Sequence, residues 1–111
     1  MKKELGKIES VRFGYGGYQD MQFGISFVLS GDGWVIEAGD HSVWSLDMEC
    51  TNYCNWTEED RDKGFAKTMR YINQLMKDAN VKEINKLKGI PIEAEFDGQK
   101  LISWRILKEV L

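Results

Sequence analysis

Glycine and tyrosine crowd together in Phe13-Gly14-Tyr15-Gly16-Gly17-Tyr18-Gln19-Asp20. Glycine permits positive φ and lets another group approach the backbone closely. Tyrosine offers a flat apolar face with a polar tip. A segment built this way suits a flat polar ligand. It equally suits a tight connection between strands that needs positive φ. It is not a phosphate loop of the known kinds. The lysine of G-x-x-x-x-G-K-[ST] is missing, and the segment leads into a strand pattern rather than a helix.

Arginine is the side chain best shaped for bidentate phosphate binding. Arg12, Arg61, Arg70 and Arg105 are the arginines here. Arg105 follows Trp104 in an apolar strand pattern, where it would be held rigidly. The competing fate for it is a cross-strand ion pair with Glu93 or Glu95. Tyr15, Tyr18, Trp34, Trp44, Trp56 and Trp104 have faces that could stack a purine. Most aromatics in a small domain are core, however.

Catalytic templates stay empty. There is one histidine, His41, and no G-x-S-x-G or H-E-x-x-H. Asp40 precedes His41, but neighbours in a strand point to opposite faces. Glu58, Glu59, Asp60 and Asp62 cluster in the manner of metal ligands. The start of a helix, with acids at its positive end, accounts for them fully. Cys50 and Cys54 lack the further ligands that zinc takes, so two reduced thiols in a loop are expected; a disulfide across so short a loop is the other option. No catalytic residue, metal or cofactor is expected.

The chain has 111 residues, enough for one domain over 1–111. Roughly 60–70% of the unfolded surface can be hidden at this size. Net charge is −3 and the basic residues form no block, so a nucleic-acid polymer is not an expected partner. No run approaches a membrane span. No apolar run follows Met1-Lys2-Lys3, which sets the expectation of a cytoplasmic protein.

The elements that must carry these residues are readable. Val11, Phe13 and Tyr15 alternate, then Met21, Phe23, Ile25, Phe27 and Leu29, then Trp34, Ile36 and Ala38. Three antiparallel strands in a meander are expected, with a bulge or a close approach at Gly24. Gly39 to Trp56, holding Trp44, Tyr53 and Trp56, reads as a long connection, with a short strand around Ser42 to Leu46. Thr57 starts a helix to about Asp78, with Phe65, Met69, Ile72 and Met76 on one face. Val81, Ile84 and Leu87 suggest a short second helix ending at Gly89. Ile90 to Phe96 and Ile102 to Ile106 form a hairpin around Asp97-Gly98. The apolar pattern favours an odd-length loop with a glycine bulge, which sets even-numbered apolar residues opposite one another. Arg105 then shares a face with Leu101, Ser103 and Leu107. The fold class is α+β: a meander, one long and one short helix, and a C-terminal hairpin completing the sheet.

Four stretches also resemble a known family together. They are Phe-Gly-Tyr-Gly-Gly-Tyr-Gln-Asp from Phe13, Cys-Asn-Trp-Thr-Glu-Glu-Asp-Arg from Cys54, Leu-Lys-Gly-Ile-Pro-Ile-Glu from Leu87, and Ser-Trp-Arg-Ile-Leu from Ser103. The chain is similar to the phage Thoeris anti-defence proteins that sequester cyclic ADP-ribose isomers. The similarity runs over about residues 7 to 111. It implies a sponge: a cyclic nucleotide immune signal bound unchanged in the host bacterial cytoplasm, by a homodimer or higher oligomer. It implies a pocket near the subunit interface, lined by aromatic and arginine side chains. Arg105 and Phe65 are the matches it points to first; Phe65 also lies on the core face of the helix. Tyr15, Tyr18, Trp104 and Arg12 complete the expected set. Only six residues follow Arg105, so contacts made by longer relatives would be missing. The alternative is a phage inhibitor that binds a host defence protein directly, of anti-CRISPR or anti-restriction type. A nucleotide-cleaving enzyme would need His41 or a carboxylate pair in the pocket.

Overall fold

The computed structural model describes residues 1–51 and 54–111, with Asp40 described by its backbone alone. Tyr53, expected in the long connection, and the side chain of Asp40 lie outside the described residues. The strands are β1 (Lys2–Gly16), β2 (Gln22–Gly31), β3 (Trp34–Trp44), β4 (Pro91–Asp97) and β5 (Lys100–Ile106), with helix α1 (Glu58–Ala79) between β3 and β4. All pairings are antiparallel and the order is β3-β2-β1-β4-β5. This is the expected α+β fold, with the C-terminal hairpin joined to the meander.

β1 is the spine. Its first half pairs with β4, from Lys2↔Phe96 to Lys7↔Pro91. Its second half pairs with β2, to Gly16↔Gln22. The two halves of the sheet therefore share one strand, and they curl towards each other. Phe27 of β2 meets Trp104 of β5 edge to face at 5.2 Å. Trp34 of β3 meets Phe96 of β4 in the same way at 5.1 Å. Burial concentrates on this concave side, in Ile8, Ile25, Phe27, Leu29, Ile92, Ala94 and Ile106, and α1 adds Ile72, Leu75 and Ala79. The convex side carries polar residues such as Arg12, Gln22, Ser26, Glu37 and Glu93, together with exposed Leu5 and Val35.

α1 starts with a complete capping box. The Thr57 hydroxyl accepts from the Asp60 amide, and the Thr57 amide donates to Asp60 Oδ2 at 2.9 Å. The acids of that first turn serve the helix end, as their position beside the dipole requires. Gly64 brings the helix close to β3, because a Cβ there would overlap Val43 Cγ1. The short second helix is a single 3-10 turn over Ile84–Leu87.

Several expectations change in detail. β3 runs on to Trp44, so the long connection is shorter than the sequence implies. Alternation breaks after Ala38 because β3 carries a bulge: Gly39 and Asp40 lie between the pairs Phe27↔Ala38 and Ile25↔His41. Gly24 is a close approach and not a bulge, since a Cβ on it would overlap the His41 carbonyl oxygen. The hairpin closes on Asp97↔Lys100 around Gly98-Gln99, and the extra residue is Ile102 within β5. Ile92↔Ile106 and Ala94↔Trp104 pair as the apolar pattern required. The displaced bulge turns Leu101 onto the core instead of the Arg105 face, and Leu107 is buried. Cys50 and Cys54 form a disulfide, not the expected free thiols.

Candidate ligand groove on the outer face

The convex faces of β1, β2 and β3 lack side chains where a strand would normally carry them. Gly14 and Gly16 on β1, Gly24 on β2 and Gly39 on β3 together leave a groove of about 290 Å³. Its floor is largely backbone. Its polar walls are Arg12, Gln22, Ser26, Glu37 and Ser42. Of the tyrosine-glycine segment, Gly14, Gly16 and Gly17 line this groove, while its tyrosines do not. The second half makes the tight turn into β2: Gly17, Gln19 and Asp20 all have positive φ.

Arg12 is the most informative wall residue. It is exposed, it lies over Gly16, and it makes no ion pair with any described residue. A Cβ at Gly16 would stand 2.8 Å from Arg12 Nη1. Two other arginines are committed. Arg61 is buried, bonded to the Ser45 and Met48 carbonyls and to Glu58. Arg105 donates from Nε to Glu93 at 3.2 Å and from both Nη atoms to Glu109 at 3.0 Å. Those bonds raise the Arg105 pKa and hold the Glu109 carboxyl below its ordinary value. A phosphate at Arg105 must displace two carboxylates; at Arg12 it meets no ion pair with any described residue.

The groove has a mixed chemistry. Arg12 supplies charged donors for an anion. Glu37 supplies a carboxylate that can accept from neighbouring hydroxyls, as acids do with ribose diols. Gln22, Ser26 and Ser42 add neutral donors and acceptors. Ser42 Oγ donates to Gln22 Oε1 at 3.4 Å, a long bond that yields easily to a ligand. Among the described lining residues there is one carboxylate and no histidine. His41 stacks on Tyr71 at 3.5 Å, on the concave side.

Only Arg12 of the expected set lines this groove. Tyr15 and Phe65 meet elsewhere, both against Phe23 on the concave side, at 5.2 and 6.4 Å. Tyr18 is 79% exposed in the turn after β1. Trp104 packs on Phe27 against the core. Arg105 lies on the convex face of β5, opposite Glu93. Within one chain, then, Arg105, Phe65 and Arg12 belong to three separate places. Sequence reasoning missed Glu37, Gln22, Ser26 and Ser42. The signal available for Gln22 and Ser26 was their place with Gly24 on the polar phase of the β2 alternation.

No family model matches this sequence, and neither a curated protein nor a solved structure shows significant similarity to it. Among the described residues no helix is long and apolar enough to cross a membrane.

Proposed function

We propose that this protein binds a phosphorylated nucleoside in the outer groove and holds it without cleaving it. The single observation that carries the reading is an arginine with no ion-pair partner among the described residues, beside a glycine floor, with Glu37 on the same wall set. Arg12 takes a phosphate and Glu37 takes ribose hydroxyls. With the resemblance of the chain, this makes the ligand a cyclic nucleotide immune signal of the cyclic ADP-ribose isomer type. The biological role is then that of a phage-encoded anti-defence sponge, acting as a homo-oligomer in the host bacterial cytoplasm. Affinity in such a site comes from pre-organised contacts and not from a catalytic group.

The test is calorimetric titration with ADP-ribose, its cyclic isomers and cyclic dinucleotides, followed by recovery of the ligand after heating. Tight binding and intact recovered ligand are expected. Arg12→Ala should weaken binding by about 10- to 150-fold, the equivalent of one charged hydrogen-bonded contact of about 1.5–3 kcal/mol. Altered ligand would make the protein an enzyme. No heat with any nucleotide would end this reading and turn attention to direct binding of a host defence protein.

A further inference from the structure

β1 has an open edge where the groove begins. Its pairing with β4 stops at Lys7↔Pro91. Ile8 then donates to the Ile90 carbonyl at 3.0 Å and accepts from the Gly89 amide at 2.7 Å. Beyond that, no described strand lies on this side of residues 10–16, whose other side is paired with β2. In a strand of L-residues, the face taken by a side chain fixes the side towards which its own N–H and C=O point. Ile8 faces the core and points towards β4. Val11, Phe13 and Tyr15 also face the concave side, opposite Phe27, Ile25 and Phe23. Their amides and carbonyls therefore point along the open edge.

Soluble proteins guard such edges with lysine, proline or inward charge. Residues 10–16 carry no lysine, proline or inward-facing charge; Arg12 is their one charge, on the outer face, and the bulge of β1 lies before them, between Ile8 and Ser10. Apolar surface lies on the segment itself: Phe13 is 46% exposed and Tyr15 48%.

We infer that this edge pairs with the same edge of a second copy, antiparallel, about a two-fold axis through Phe13. This register uses all three free residues. On the concave side Phe13 meets the partner's Phe13, and Val11 meets the partner's Tyr15. On the groove side Arg12 stands opposite the partner's Gly14. No like charges face each other, and the space above Gly14 is empty: a Cβ built there meets nothing within 4 Å. A register centred on Arg12 would set the two guanidiniums directly opposite. One centred on Gly14 would lose the Val11 pair, because Gly17 has left the strand at φ 73°.

Pairing joins the two grooves across the axis. The Arg12 residues then stand diagonally across the seam, with Cα atoms roughly 7–8 Å apart, flanking a floor made by Gly14 of both copies. One groove of about 290 Å³ is at the small end for an organic ligand, for which roughly 300–1,000 Å³ is usual. The joined site suits one nucleoside diphosphate, with a guanidinium for each phosphate. This last step rests on the proposed ligand; the pairing itself does not.

Light scattering on a sizing column should give twice the 12.8 kDa chain mass. Phe13→Lys and Phe13→Glu each set like charges on the axis, and each should run as a folded monomer. An equimolar mixture of the two variants should recover the dimer, which a variant that merely fails to fold cannot do. With ADP-ribose as the probe, the wild type should bind one molecule per two chains. Each variant alone should bind at least tenfold more weakly although Arg12 is intact, and the mixture should recover. A monomeric wild type or a dimer indifferent to both charges would overturn the pairing, and full-affinity binding at one ADP-ribose per chain would overturn the joined site. Dimers that respond to the charges as described but take up no ADP-ribose would keep the pairing and remove the joined nucleoside diphosphate site.

Discussion

Replacing Arg61 with methionine should loosen the segment that joins β3 to α1. Arg61 is 6% exposed. Its Nη1 donates to the Ser45 carbonyl at 2.5 Å and the Met48 carbonyl at 2.7 Å, and its guanidinium lies 4.9 Å from the centre of the Trp56 ring. Two hydrogen bonds from a charged donor are worth about 3–6 kcal/mol together, and the ring contact adds about 1 kcal/mol. The Glu58 leg adds little, because that carboxylate is largely exposed. Against this stands the cost of burying the charge, with an Nε that has no partner among the described residues. The net loss for Arg61→Met is about 3 kcal/mol. At about 4 °C per kcal/mol for a domain near this size, the melting temperature should fall by roughly 12 °C. Thermal unfolding followed by circular dichroism reads this directly. Arg61→Lys should fall between the two, since one ammonium cannot copy the planar fork. A fall of under about 3 °C for Arg61→Met would mean that water replaces the guanidinium at no great cost, and the clasp would not be structural.

Gly64→Ala tests a conflict between helix and sheet: alanine gains about 1 kcal/mol of helix propensity, but its Cβ would overlap Val43 Cγ1. Overpacking should win by about 1 kcal/mol, and adding Val43→Ala should recover the loss in a urea-unfolding cycle; a Gly64→Ala chain more stable than wild type would refute the close approach. Glu9 carries a pH effect: the Ser30 hydroxyl donates to it at 2.7 Å, and with Lys7 this holds its carboxyl below the ordinary 4.5. A lowered folded pKa gives stability that is present above the unfolded value and lost as pH falls through the folded one. The stability gap between wild type and Ser30→Ala should therefore be constant at neutral pH and narrow below about pH 4.5; a gap that does not change with pH would rule out the bond to ionised Glu9.

The elements were legible where a short-range rule governs them. Phe23 to Leu29 alternate because one face is buried, and Thr57 with Asp60 marks the helix start because a free amide needs an acceptor. The bulge at Gly39 and Asp40 broke the alternation of β3, so its second half read as a separate short strand around Ser42 to Leu46. The bulge at Ile102 reversed Leu101 by the same one-residue shift. The curl of the sheet was not legible, because it depends on Phe27 meeting Trp104 across most of the chain. The groove was half legible. Its glycines stood out, but that Arg12 has no ion pair among the described residues while Arg61 and Arg105 are bound is a fact of tertiary placement. No residue type or spacing announces it.

The shared spine has a consequence for the order in which the chain is made. The meander closes through short turns, so β1, β2 and β3 can pair as soon as Trp44 has been synthesised. The first half of β1 must then wait. Its partner β4 begins at Pro91, and the pairing with β2 reaches only to Gly6, so Lys2 to Leu5 remain without a strand partner while the whole of α1 is translated. Pairing them last completes the concave core in one step, since Trp34 and Phe27 gain Phe96 and Trp104 together. A ribosome stalled before Pro91 would hold a nascent chain whose sheet is half built, with its apolar face open to chaperones and to other chains.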